Sequence, residues 1–350
     1  MQSVELLSPV ATAGSRHTRT RPLPPMFLRC ASMFFATLAA AAIAPPATFA
    51  QQSYPNQPIR IVVAIPAGSG TDTAARLIGQ GLTERLGRQV VIDNRPGAGT
   101  IIGNDIVAKA NPDGYTLLAN GAALTIAPSL YKKIPYDTSR AFVPITIAVS
   151  SPNVMTVHPS VPAQSVKDMI ALAKRRPGEI LFSSGGRGTN SHLATELFAS
   201  MAHIRMTHVT YKGSTPAVIA VMAGEVALTT NSMATLYPHV RAGKLRALGV
   251  GSTRRVAAAP DIPTIAEAGV PGYESAQWSG LLAPAGTPHE IIALLHKEIV
   301  AVVRAPENAQ RLESDGSEVV ANSPEEFAAF FRAELTKWAS VVKATGMKPE

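Results

Sequence analysis

Cysteine is almost absent from this chain of 350 residues, which has only Cys30, and aromatic residues make up just 5% of it. Because Cys30 lies within the first 50 residues, the rest of the chain has no thiol, no disulfide and no cysteine metal ligand. Such a composition is typical of a protein that works in an oxidising compartment, where a stray thiol is a liability.

Strong charge of one sign is also absent. The net charge is +8, and it falls to +5 when the first 50 residues, with four arginines and one glutamate, are set aside. The basic residues form no tract and aromatic residues are few, so the sequence lacks the features of nucleic-acid binding. A mild positive excess suits an anionic ligand or an acidic partner.

Sequence motifs of the common enzyme classes are missing. Segment 97–103 has one residue too many for the Gly-x-Gly-x-x-Gly dinucleotide motif, and segment 68–73 lacks its third glycine. There is no phosphate loop, nucleophile elbow or His-Glu-x-x-His, and the histidines lack metal-ligand spacing. We therefore expect no catalytic residue, no cofactor and no metal. An enzyme acting on a small acid, with Asp72 or His192 as its base, remains the less favoured alternative.

Residues 1–50 have the order of regions found in secretory signal peptides. A basic segment precedes an apolar run from Cys30 to Ala44, and Thr48-Phe49-Ala50 then gives a small-residue cleavage site. The run holds about 15 residues, whereas a membrane-spanning helix needs roughly 20. We expect cleavage after Ala50 and export to the periplasm, with Met26 as the suspected true start; an N-terminal membrane anchor is the alternative.

Beyond the leader, short apolar runs alternate with segments of helical periodicity. Ile59–Ile65 is apolar apart from Arg60 and mostly β-branched, which is typical of a parallel strand covered on both faces. The next helix is predicted to end at Gly87, and another is predicted to start with Thr215 as its N-cap and Pro216. The aromatic stripe of the last helix, from Phe327 to Val342, indicates core packing.

Repeated strand–helix units predict an α/β protein with two lobes, each a doubly wound and mostly parallel sheet. The extended stretch Phe142–His158 is the predicted first crossing between the lobes, and the segment around Gly272–Trp278 is the predicted return. Lobe 1 is then 54–153 plus 277–350, and lobe 2 is 154–276. Two extended crossings form a hinge with a cleft.

Loops rich in Gly, Ser, Thr and Asn follow several predicted strands, where α/β sheets bind their ligands. Glycine permits close backbone approach, and a loop that enters a helix N-terminus favours an anion. Each loop alone is equally well explained as a turn or cap. The candidate ligand-binding residues are Ala67, Gly68, Ser69, Gly70, Thr71, Asp72, Asn120, Ala122, Ser184, Gly185, Arg187, Thr189, Asn190, Tyr211 and Asn231.

Two charged residues in these loops have alternative interpretations. Asp72 either caps its own helix or orients a ligand or bridging water. Arg187 is either a solvated loop arginine or a bidentate clamp for a carboxylate.

Several motifs, in this order along the chain, resemble the receptors of tripartite tricarboxylate transporters, also called Bug receptors. They are Pro66-Ala67-Gly68 with Gly70 and Asp72, Asn94-Arg95-Pro96-Gly97-Ala98-Gly99, Asn111-Pro112-Asp113-Gly114-Tyr115, Gly188-Thr189 with His192-Leu193, Tyr211-Lys212-Gly213 with Pro216-Ala217, Pro263-Thr264-Ile265-Ala266-Glu267-Ala268-Gly269 and Ala283-Pro284-Ala285-Gly286-Thr287-Pro288. The resemblance runs from about Tyr54 to the end. Ser69-Gly70 departs from the family's Gly-Gly, and Asn231 stands where the family carries an acid.

The resemblance implies a periplasmic-binding-protein fold that closes on a small organic carboxylate and delivers it to integral-membrane transporter subunits. Family ligands are di- and tricarboxylates, acidic amino acids and aromatic or nicotinate-like acids. By the same resemblance, Ala67, Gly68, Ser69, Gly70 and Asp72 would face Ser184, Thr189 and Asn190 across the ligand, partly through water. A receptor that presents its ligand to a signalling protein is the other non-enzyme alternative.

Overall fold

The structure is a computed structural model, which describes residues 54–313, 316–347 and 349. The predicted signal peptide, its cleavage site after Ala50 and Met26 lie outside the described residues. Within the described ranges, no helix combines the length and the apolar character that crossing a bilayer requires.

Strands and helices alternate over most of the described chain. The strands are β1 (Ile59–Val63), β2 (Val90–Asn94), β3 (Thr116–Gly121), β4 (Phe142–Val157), β5 (Leu181–Ser184), β6 (Thr207–Thr210), β7 (Leu228–Ser232), β8 (Arg246–Val250), β9 (Ala276–Pro284) and β10 (Glu318–Val319). The helices are α1 (Gly70–Leu86), α2 (Ile101–Ala108), α3 (Ala122–Leu130), α4 (Val166–Arg175), α5 (Asn190–Met201), α6 (Ser214–Met222), α7 (Met233–Arg241), α8 (His289–Val303), α9 (Pro306–Glu313) and α10 (Pro324–Ala344).

The sheet has two groups of parallel strands joined by β4 and β9. In the first group β1 pairs with β2 and β3, and in the second β5 pairs with β6 and β7. β9 runs antiparallel to both β3 and β4. The 16-residue β4 pairs with β9 over most of its length and with β7 and β8 over its last residues, so it belongs to both groups.

This architecture confirms the predicted α/β class, and the predicted extended stretch is one continuous strand from Phe142 to Val157, which leaves out only His158. The two crossing strands themselves run antiparallel to their neighbours. The lobe boundaries at 153/154 and 276/277 stay a prediction.

Strand β1 is covered on both faces, as its composition predicts. Ile59, Ile61 and Val63 pack into one apolar core with α1 and α8, while Val62 and Ala64 face a second core. That second core contains Phe327, Phe331 and Trp338 of α10, so the aromatic stripe of the last helix is core packing. Two further cores lie on the two faces of the second strand group.

Helix boundaries follow local capping chemistry. Gly87 adopts φ 64° and ends α1 as predicted, because a left-handed residue terminates a helix and glycine adopts it without strain. The predicted start of α6 is wrong: Gly213 is its N-cap and Ser214 its first residue. Pro216 is still tolerated there, because the N–H groups of a helix's first turn have no intrahelical acceptor.

Candidate functional site

Four helix N-termini meet the two crossing strands, and we call this region the helix N-terminal cluster. At α1, Thr71 Oγ1 lies 2.9 Å from Ser279 Oγ of β9. At α3, the preceding Gly121 is paired with the same Ser279. Helices α1 and α3 follow strands of the first group, so one serine of β9 joins two helix starts from that group.

The other two helix N-termini come from the second strand group. Asn190, the first residue of α5, donates from Nδ2 to the Ala276 carbonyl of β9 at 3.3 Å. Its Oδ1 accepts from Asn153 Nδ2 of β4 at 2.8 Å. At α7, the Ala234 N–H donates to Ser151 Oγ of β4 at 3.4 Å. The crossing strands therefore bring helix starts from both groups into one region.

Backbone chemistry makes this cluster suited to a small anion. The first N–H groups of a helix have no intrahelical acceptor, and the helix dipole places a partial positive charge there. Anions bind readily at such termini without a fixed countercharge. The side chains that join the termini to the crossing strands are hydroxyls and amides. Such a site can hold a carboxylate through neutral donors.

The Asp72 carboxylate is held by hydrogen bonds next to the loop that precedes α1. It accepts from the Gly68 N–H, from Arg76 Nε and from Asn94 Nδ2, each at 2.9 Å, and the residue is 2% exposed. Burial alone would raise the pKa of Asp72, but these hydrogen bonds and the charge of Arg76 outweigh it and hold the pKa below its ordinary value. Asp72 therefore fixes the loop's shape; a ligand role stays a prediction.

The candidates from Ala67 to Gly70 form this loop and the first residue of α1. Ala67 and Gly68 are exposed and line a surface depression with Asp72 and Arg76. Ser69 is the N-cap of α1 and accepts from the Asp72 N–H at 3.2 Å. At Gly70, no described atom lies within 4 Å of the position that a Cβ would take. The Gly70 backbone is therefore open to a ligand.

Asn120 and Ala122 are buried where β3 enters α3. The Asn120 side chain turns away into a polar network: Nδ2 donates to Asn104 Oδ1 at 2.7 Å, and Oδ1 accepts from the Gly121 N–H at 2.7 Å. Its amide thus fixes the turn at Gly121. Ala122 begins the helix and contributes backbone.

The second-lobe loop, residues 184–190, is held by its own side chains. Thr189 Oγ1 donates to the Gly186 carbonyl at 2.7 Å, and the Gly185 N–H donates to Ser191 Oγ at 3.3 Å. Ser184 Oγ lies 2.7 Å from His208 Nε2. Arg187 projects from the middle of the loop and is exposed.

Tyr211 and Asn231 lie at the ends of β6 and β7. The Tyr211 hydroxyl donates to Glu225 Oε2 at 3.4 Å, and its ring packs against a core of the second strand group. Asn231 Oδ1 accepts from the Ser232 N–H at 2.8 Å. Its buried Nδ2 has no hydrogen-bond partner among the described residues, so Asn231 retains a donor next to the start of α7.

Sequence reasoning missed the polar residues of the crossing strands. Ser151 and Asn153 on β4, and Ser279 on β9, form the contacts that gather the helix starts. The signal was weak, because these strands also contain other polar residues, namely Thr146, Ser150, Thr156 and Gln277. Among the described residues, no group of three His, Cys, Asp or Glu side chains could hold a metal ion.

Two parallel strand groups joined by two crossing strands, with helix starts gathered at the crossings, define the two-lobe solute-binding class of protein. Residues 74–347 match the family model described as tripartite tricarboxylate transporter family receptor. The chain belongs to this family, which confirms the resemblance seen in its motifs. The Pro66–Asp72 motif lies just before the matched range.

Known relatives span nearly the whole chain. Protein BugT of Bordetella pertussis is 36% identical over 313 residues, which cover 89% of this chain and 95% of BugT. The structure of Rpa4515 of R. palustris with adipate is 36% identical with a TM-score of 0.75, covering 85% of this chain and 100% of that one. MatC of Rhodopseudomonas palustris with bound malate is 28% identical with a TM-score of 0.70, covering 83% and 100%.

Proposed function

We propose that this chain is a periplasmic receptor that captures a small organic carboxylate between two lobes and delivers it to the membrane subunits of a tripartite tricarboxylate-type transporter. The observation that carries the proposal is the structural likeness, over more than four fifths of this chain, to Rpa4515 with adipate and to MatC with bound malate, both dicarboxylates. The proposed lobes are 54–153 plus 277–350, and 154–276. Their ligand site is the helix N-terminal cluster with the second-lobe loop.

The donors in this region support the choice of ligand class. Backbone N–H groups at the starts of α1 and α5 would bind one carboxylate from opposite lobes, together with Ser69 and Asn190. Asn231 Nδ2 is a further buried donor without a partner among the described residues, and a buried donor gains most from an acceptor. Arg187 would bind the second carboxylate of a dicarboxylate. Binding through neutral donors keeps the ligand releasable to a transporter.

A thermal-shift screen of the purified protein tests the ligand class. Adipate, malate, citrate, glutamate and nicotinate would be compared, with adipamide as the matched uncharged control for adipate. At a hundredfold excess over Kd, a ligand specific for the folded state stabilises it by about 2.7 kcal/mol. We expect at least one acid to raise the Tm while adipamide does not. Equal shifts with adipate and adipamide, or no shift with any acid, would contradict the proposal.

Two further measurements test whether the bound acid is turned over and where the protein is located. We expect the bound acid to be recovered unchanged after prolonged incubation with stoichiometric protein, and a new product in the mass spectrum would favour an enzyme. Amino-terminal sequencing of protein from the periplasmic fraction should begin at Gln51. Retention of the apolar segment that ends at Ala44 would instead indicate a membrane anchor.

A further inference from the structure

Two stacked histidines lie directly behind the second-lobe loop. The rings of His192 on α5 and His208 on β6 have centroids 3.8 Å apart and an interplanar angle of 15°. Phe182 of β5 stacks on both, at 6.0 Å from His192 and 5.0 Å from His208. His192 is 4% exposed and His208 is partly buried, so the stack lies against the interior with one edge towards solvent.

Each histidine is hydrogen-bonded to one end of the loop. His208 Nε2 is 2.7 Å from Ser184 Oγ, which in turn donates to the Gly186 carbonyl at 3.0 Å and accepts from the Gly186 N–H at 3.2 Å. At the other end, the Gly188 N–H donates to His192 Nδ1 at 3.0 Å. Gly186 and Gly188 have φ values of 147° and 74°, which glycine adopts without strain but few other residues do.

We propose that His192 and His208 are positioning residues that hold the second-lobe loop in its ligand-binding shape while His208 is uncharged, and that acidification releases the loop and its ligand. The ligand part of this inference rests on the proposed function. The loop part does not, because it concerns the protein alone.

The charged groups around the stack explain why a proton on His208 is unfavourable. That proton would place a positive charge beside the His192 ring and near the guanidinium of Arg187. Glu196 is the acid in contact with the pair, with Oε1 3.5 Å from His192 Nε2 on the far ring. Burial, then His192, then Arg187 lower the pKa of His208 to about 4.

The direction of the pH effect follows from this shift. An exposed histidine has a pKa near 6.5, so opening of the loop that frees His208 raises its proton affinity. As the pH falls below about 6.5, opening becomes easier by about tenfold per pH unit, and the gain stops near pH 4, where the held ring also protonates. Above pH 6.5 the loop is at its most stable.

Hydrogen–deuterium exchange of the ligand-free protein tests the loop. Peptides spanning 184–190 would be followed from pH 7 to pH 4.5, after correction for the intrinsic exchange rate. We expect their protection to fall about tenfold per pH unit below 6.5. His208→Gln should flatten this dependence, and the exposed-site control His289→Gln should leave it as in the unmodified protein. The same pH dependence in His208→Gln and the unmodified protein would overturn the proposal.

Binding is tested separately, with adipate as the probe. Because adipate titrates identically in every sample, the ratio of variant Kd to unmodified Kd at each pH isolates the protein's contribution. At pH 7, His208→Gln should bind about two- to tenfold more weakly, the effect of a lost ring stack. That ratio should shrink as the pH falls, and a constant ratio would count against release by His208.

A second variant separates positioning from packing. His192→Phe keeps a ring in the stack but removes the acceptor of the Gly188 N–H, so we expect exchange to rise more at 184–190 than elsewhere in the chain. Unchanged exchange in this variant would also overturn the proposal. If adipate fails to bind the unmodified protein at pH 7, the choice of ligand is wrong, while the exchange data still decide the loop.

Discussion

At the scale of single residues, Gly70 offers the cleanest test of the first-lobe site. Because no described atom lies within 4 Å of a Cβ placed there, Gly70→Leu should fold with an unchanged Tm. The added side chain would occupy the space through which a ligand reaches the α1 N-terminus. We expect the affinity for the bound acid to fall more than tenfold by calorimetry, while Ala339→Leu on the exposed face of α10 leaves it unchanged. Normal binding by Gly70→Leu would remove this loop from the site.

Arg187 tests whether the ligand carries a second carboxylate. A hydrogen bond to a charged partner contributes about 1.5–3 kcal/mol, so Arg187→Ala should weaken adipate binding by about ten- to a hundredfold. Hexanoate has a similar chain and one carboxylate, and its affinity should change little. Arg205→Ala, also exposed on the second lobe, is the matched control. An equal loss for both acids would mean that Arg187 acts on the loop and not on the second carboxylate.

The sequence predicted which residue types lie at the ends of the strands, but not the direction in which their side chains point. The glycine- and hydroxyl-rich loops do lie at the starts of α1 and α5, because a strand end must lead into a helix start in this fold. Asn120 shows this limit. It belongs to a loop of the same composition, but its amide donates a buried hydrogen bond to Asn104. Only tertiary packing decides whether such a side chain faces the site or a buried partner, since an asparagine donates to whichever acceptors lie near it.

At the scale of elements, one buried acid adds a polar link between α10 and the sheet, beside the aromatic packing of that helix. Glu334 is 3% exposed, accepts from Trp338 Nε1 at 2.8 Å and from Trp278 Nε1 at 3.4 Å, and pairs with Lys337. Glu334→Ala would leave two buried indole N–H groups without an acceptor, at about 1–3 kcal/mol each. We expect a clear loss of unfolding free energy in urea, a smaller loss for Glu334→Gln, and none for the exposed Glu307→Gln. A loss no larger in Glu334→Ala than in Glu307→Gln would contradict this role.

The positions of helices and strands were easier to predict than the pairing of the strands with one another. Residue periodicity indicated β1, the end of α1 at Gly87 and the core-facing stripe of α10. The antiparallel pairing of β9 with both β3 and β4 could not be predicted, because it joins residues more than a hundred positions apart. The three serine and asparagine residues that gather the helix starts were missed for the same reason.

At the scale of the whole molecule, the two strand groups touch beyond the crossing strands. Leu193 of α5 is buried in the same core as Trp338 of α10. The Leu130 side chain of α3 lies against Gly188, so closely that a Cβ there would be 2.1 Å from Leu130 Cδ1. The proposed hinge motion is a rotation about the crossing strands β4 and β9, and it would have to separate these contacts.

Ligand binding should close the cleft. The α1 start and the second-lobe loop each supply N–H and hydroxyl donors, but neither alone surrounds an anion. Closure brings the two sets together and excludes water, which strengthens every charge–dipole contact. Small-angle scattering should show a smaller radius of gyration with saturating acid than without, and Gly70→Leu should show the ligand-free value in both conditions. An unchanged radius in the unmodified protein, at a concentration where calorimetry shows full occupancy, would mean that the acid binds without hinge motion.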